Sequence, residues 1–165
     1  MEQATEPIVV RRKVEIAARP ETVWELLVDP VKALRWWGIG AEFDPRPGGE
    51  LKVHVITGSV ACGEFVVVDP PRRLVYTWGW SEGGGGPELV PPGSSTVEIE
   101  LEPTETGTTL RLVHSGLPND ESAAAHGAGW DNYLGRLAVV AEGGDPGPDP
   151  WLDLAQRQPQ AKGDE

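Results

Sequence analysis

The chain has 165 residues, and 14 Lys and Arg set against 26 Asp and Glu give a net charge of −12. One domain of roughly 100–200 residues accounts for that length, and such a domain buries about 70% of its unfolded surface without help from a disulfide or metal. The acidic balance argues against nucleic acid and against an anionic membrane surface as partners, because both recruit clustered Lys and Arg. Cys62 is the single cysteine, which excludes an internal disulfide framework and a zinc site built from paired cysteines. MEQATEP at the start has neither the basic stretch nor the apolar core of a signal peptide, and the longest apolar runs, such as FVVV at 65–68, are far too short to span a bilayer. A cytoplasmic location is expected.

The first strand is expected within residues 8–18, where Val14 and Ile16 alternate with Lys13 and Glu15. Pro20 suits the first position of a helix, whose buried stripe is Val23, Leu26 and Leu27. Pro30 cannot continue that helix, and Asp29 is placed to cap the next one, which runs to Trp36-Trp37 and stops at Gly38. From residue 50 the period becomes two: Leu51, Val53 and Val55 make a strand, and 60–68 and 73–80 follow as a pair around Asp69-Pro70-Pro71-Arg72. A simple hairpin there sets Phe65 opposite Tyr76, Val67 opposite Leu74 and Gly63 opposite Trp78. Residues 81–94 read as a long loop; their four glycines lack the Gly-Lys-Ser/Thr of a phosphate cradle.

Strand 96–103 turns Val97, Ile99 and Leu101 inward and Glu98, Glu100 and Glu102 outward. Strand 109–115 puts Leu110, Leu112 and His114 on one face. A long helix then starts near Asn119 or Asp120 and ends at Gly143-Gly144, with Trp130, Tyr133, Leu134, Leu137 and Ala141 on one side. Gly127 and Gly129 weaken it by about 1 kcal/mol each unless something packs closely against them. The domain is therefore expected over 8–142, with 143–165 as a Pro/Gly-rich linker and tail. Within that tail, Trp151, Leu152 and Leu154 are an apolar cluster expected to dock on their own domain or on a second copy. The implied class is α+β: an antiparallel sheet whose apolar face only the long helix can cover.

The runs VRRKVEIAARPETVWELLVDPVKALRWW, DPRPGGELKV, GEFVVVDPPRRLVYTW, TVEIELEPTETGTTLRLVHSGL and HGAGWDNYLGRL, in that order, resemble the START-like, birch-pollen-allergen-like superfamily (SRPBCC). Within it they are most similar to the branch named after the activator of heat-shock protein 90 ATPase. The resemblance implies a helix-grip fold: a curved antiparallel sheet around a long C-terminal helix, two short helices after the first strand, and an internal apolar cavity. A fold-level match leaves function open. The eukaryotic co-chaperone carries a further N-terminal domain, whereas seven residues precede the first strand here, so full co-chaperone activity is not expected.

His114 is the ionisable group that strand parity turns toward such a cavity, as a general base or a ligand's hydrogen-bond partner; the competing reading is a histidine satisfied by its own surroundings. Trp36, Trp37, Tyr76, Trp78, Trp80, Trp130 and Tyr133 either line a pocket or fill the core. His126, one helical turn before Trp130, shares its face and is the one residue able to join His114 as an acid–base or metal pair. Glu64 and His54 are expected to face water. No HExxH, no Ser-His-Asp spacing and no activating context for Cys62 is present, so neither metal nor cofactor is expected. Three functions stay open: binding a small apolar or aromatic ligand, a polyketide cyclase or aromatase activity, and a co-chaperone-like interaction module. A chaperone partner would accompany the last, and a homodimer would follow if the tail cluster docks on a second copy.

Overall fold

The structure, a computed structural model, describes residues 8–83 and 90–151. Its elements are β1 (Val9–Ile16), α1 (Pro20–Val28), α2 (Pro30–Ala33), β2 (Gly40–Phe43), β3 (Glu50–Ile56), β4 (Ser59–Asp69), β5 (Arg73–Glu82), β6 (Ser95–Pro103), β7 (Thr108–Ser115) and α3 (Asp120–Ala141). The seven strands form one antiparallel sheet in the order β1-β7-β6-β5-β4-β3-β2. With α3 across the sheet and two short helices after β1, this is the expected helix-grip fold.

Local chemistry sets the element ends. Pro20 opens α1, where its missing N–H would have had no partner, and Val23, Leu26 and Leu27 are buried as their spacing requires. The Asp29 carboxylate accepts from the backbone N–H groups of Val31 (2.9 Å) and Lys32 (3.3 Å) and so caps α2. The regular helix ends at Ala33, short of the expected Trp36-Trp37. One irregular turn follows, in which the N–H groups of Trp36 and Trp37 both reach the Ala33 carbonyl. Gly38, at φ +81°, then redirects the chain. Asp29→Ala is expected to cost about 1 kcal/mol, visible as a loss of a few degrees in melting temperature, because this cap fixes the turn that carries both tryptophans.

β2 is absent from the sequence reading. Its four residues, GAEF, sit between glycines and Asp44-Pro45 and carry no alternation; pairing with β3 alone makes them a strand. Phe65 does face Tyr76, and Ala61 and Cys62 keep that register against Trp80 and Gly79. A bulge between Phe65 and Val67 then shifts the pairing by one, so Val67 meets Val75 and not Leu74.

β6 and β7 behave as their alternation demands: Val97, Ile99, Leu101, Leu110, Leu112 and His114 are all buried. Asn119 caps α3 through a 2.8 Å bond from the Ser122 N–H, and Trp130, Tyr133, Leu134 and Leu137 bury its inner face. The helix spans 22 residues, or about 33 Å. Its glycines have neighbours: a Cβ on Gly127 would lie 2.6 Å from an Arg12 guanidinium nitrogen, and one on Gly129 would lie 3.6 Å from the Trp151 ring. Arg12 itself pairs with Asp131 at 2.6 Å, joining β1 to α3. No described helix is long and apolar enough to cross a membrane. Leu152, Leu154 and residues 84–89 of the glycine-rich loop lie outside the described residues.

Candidate functional site

A cavity of about 520 Å³ opens between the sheet and the first half of α3. Trp37 approaches it from the turn after α2, Val55 and Ile56 from β3, Ser59 from β4, and Trp78 and Trp80 from β5. Helix α3 contributes Glu121, Ser122, Ala125, His126, Ala128, Gly129, Trp130 and Tyr133, and Trp151 reaches the cavity from beyond the helix. β5 can place both Trp78 and Trp80 there because alternate residues of a strand share a face. Among the described residues Glu121 is the single charged one in this lining.

The rings form a connected stack. Trp36 lies on Trp37 at 5.0 Å between centroids, Trp37 on Trp78 at 5.7 Å, and Trp130 tilts against both Trp37 and Trp78 at 5.9 Å. Offset and tilted contacts at these separations are favourable ring geometries. Trp36 is the outer member: its indole N–H donates to the Leu26 carbonyl at 2.9 Å, and it stands behind Trp37 away from the cavity. Tyr76 is buried further along β5, between Phe65 and Trp78, and burial drives its hydroxyl pKa far up. Neither Trp36 nor Tyr76 belongs to the lining; both fill the core, the other of the two roles open to them.

His114 is fully buried on the face that parity assigned to it, but it does not reach the cavity. Its Nδ1 accepts from the Trp130 indole N–H at 3.0 Å, and its Nε2 lies 2.9 Å from Ser95 Oγ. Ser95 Oγ in turn donates to the Trp78 carbonyl at 2.9 Å. One arrangement of protons satisfies all three bonds: Nε2 carries the hydrogen, and Ser95 relays it to the backbone. The ring is neutral, held down to a pKa of about 3 by burial and then by the nearby His126. A histidine with both nitrogens engaged has no bond left for a ligand. The satisfied-histidine reading is the one the geometry matches.

His126 does line the cavity, 5.2 Å from the His114 ring, and it is equally occupied. Nδ1–H donates to the Ser122 carbonyl at 2.8 Å, and Nε2 accepts from the Trp80 indole at 3.0 Å. Burial lowers its pKa too. The two histidines are close, yet no nitrogen of either is free for a metal, and no cluster of three or more ligating side chains occurs among the described residues. The Tyr133 hydroxyl donates to Asp149 at 2.6 Å, and its pKa is raised by burial and by that carboxylate. Two buried polar side-chain atoms lack a partner among the described residues, Trp78 Nε1 and Ser122 Oγ, and both residues line this cavity.

Residues 17–142 match the family profile of the Activator of Hsp90 ATPase homolog 1-like proteins. The chain belongs to that family. An AHSA1-like protein of Rhizobium etli, solved in solution by NMR, is 50% identical with a TM-score of 0.70, covering 92% of each chain. DynU16, a protein of the dynemicin biosynthetic locus, is 26% identical with a TM-score of 0.70 over 86% of this chain and 49% of its own. An uncharacterised protein of Schizosaccharomyces pombe is 24% identical over 118 residues, and the present chain spans 32% of that relative's length.

Proposed function

We propose that this family member binds a small, neutral, apolar or aromatic molecule in the cavity between the sheet and α3. The observation that carries this reading is the cavity wall: five tryptophans and Tyr133 around about 520 Å³, with Glu121 as the only charge among the described residues. Small-molecule sites commonly hold ~300–1,000 Å³ and combine apolar walls with a few polar contacts. Among the described residues no Lys or Arg stands in the wall to meet an anionic ligand. The similarity to a protein from a biosynthetic locus supports a small organic ligand as well.

Binding is favoured over a cyclase-type reaction because the candidate acid–base groups are committed. His114, His126 and Tyr133 all hold structural hydrogen bonds, which leaves Glu121 as the cavity's available carboxylate. Titration with Nile red, a neutral aromatic ketone, tests the reading. Saturable 1:1 binding with blue-shifted dye emission and quenched tryptophan fluorescence is expected. Ala125 is exposed at the rim, so Ala125→Trp should leave folding intact while weakening the dye about tenfold or more. Absence of saturable binding to the natural chain, or equal binding by Ala125→Trp, would overturn it.

A further inference from the structure

We infer that the segment following α3 is a working wall of the ligand site, with Trp151 setting which ligands fit and Asp149 as the positioning residue that holds it. This inference rests on the ligand-binding reading above, and it concerns residues beyond 142, where the family match ends. The Asp149 carboxylate gathers three donors: Tyr133 Oη at 2.6 Å, Asn132 Nδ2 at 3.2 Å and the backbone N–H of Trp151 at 2.9 Å. Two of these come from neighbouring positions on α3 and the third from the strap itself, so one side chain pins the segment to the helix.

Arg136 makes a second clasp. Its guanidinium donates to the Gly147 carbonyl at 3.0 Å and to the Trp36 carbonyl at 3.2 Å. One arginine thereby fixes the strap relative to the turn that carries Trp37 into the cavity. Held this way, the Trp151 indole borders the cavity, meets the Tyr133 ring at 6.2 Å and lies over Gly129. A methyl at Gly129 would only touch Trp151, but a branched side chain would have to displace it. A glycine that costs about 1 kcal/mol in a helix interior is explained if its surface is a seat for that indole. Because the segment contributes an aromatic wall from outside α3 and the sheet, its position governs the breadth of the site.

The test is Nile red titration of the full chain and of Trp151→Ala, Trp151→Phe and Asp149→Ala, each with its thermal unfolding curve. Trp151→Ala should weaken binding about tenfold, as expected for loss of one well-packed aromatic contact, and Trp151→Phe should recover most of it. Asp149→Ala should reproduce the Trp151→Ala loss although it leaves every ring in the wall unchanged. Melting temperatures of the two Trp151 variants should move little, since the strap lies outside the core formed by the sheet and α3, whereas Asp149→Ala, which also removes the acceptor of the buried Tyr133 hydroxyl, should melt a few degrees lower. Binding by the natural chain with no change in Trp151→Ala, or none in Asp149→Ala, would overturn the wall or its positioning residue and leave the cavity reading intact. No binding by the natural chain would overturn both.

Discussion

Lowering the pH from 7 to 4.5 is expected to destabilise the protein by roughly 2–3 kcal/mol through His114 alone. In the unfolded chain this imidazole titrates near its ordinary value of 6.5, while in the native protein burial holds it at about 3. Below pH 6.5 the unfolded state therefore takes up a proton that the native state refuses. The stabilisation is complete above 6.5, shrinks as the pH falls, and is gone once the pH drops through about 3. His126, whose pKa is also lowered by burial, acts in the same direction. Carboxylates contribute to acid sensitivity as well, so the informative quantity is a difference. Urea unfolding of the natural protein and of His114→Leu between pH 7 and 4.5 should show a shallower loss in the variant, by about one proton's worth of slope. Parallel curves would mean that His114 is accessible to protons in the folded state.

Trp130→Ala should be the most damaging single substitution in the site, costing about 3–5 kcal/mol by cavity formation alone. The ring packs against Trp37 and Trp78 and supplies the N–H that His114 Nδ1 accepts. Trp130→Phe separates the two roles. It keeps most of the volume but strands a buried acceptor, an expected cost of about 1–3 kcal/mol. It also frees Nδ1 for protonation, which raises the native pKa of His114 and flattens the acid-induced loss of stability. A Trp130→Phe protein with an unchanged pH profile would contradict the hydrogen-bond relay from Trp130 through His114 and Ser95 to the Trp78 carbonyl.

Much of the frame was legible because it depends on local rules. Alternation placed the inner faces of β6 and β7, Pro20 and Asp29 marked helix starts, and the 3.6-residue stripe of α3 named Trp130, Tyr133, Leu134 and Leu137 as buried. The bulge after Phe65 left no trace in the residues, and β2 owes its existence to a partner strand. For the site, parity turned His114 inward, but parity carries no information on what stands between a side chain and the cavity. Ser95 and Trp130 consume its nitrogens, and both lie distant in sequence. Trp36 and Trp37 are neighbours in sequence, yet consecutive residues in a turn diverge, one toward the Leu26 carbonyl and the other toward Trp78. Small residues such as Ser122, Ala125 and Gly129 carry no sequence signal of lining, because their role is to leave room. Of the apolar cluster in the tail, Trp151 lies on Tyr133, while Leu152 and Leu154 lie outside the described residues.

The indole N–H resonances of the seven tryptophans, followed by ¹H–¹⁵N NMR during titration with Nile red, give the most direct test of the cavity as a ligand site. Trp37, Trp78, Trp80, Trp130 and Trp151 line the cavity, while Trp24 in α1 and Trp36 behind Trp37 do not. The expected result is a shift of the lining resonances, with Trp24 and Trp36 nearly still. Saturating dye that moves none of the five lining indoles, or that moves Trp24 and Trp36 as much as Trp78, would contradict it.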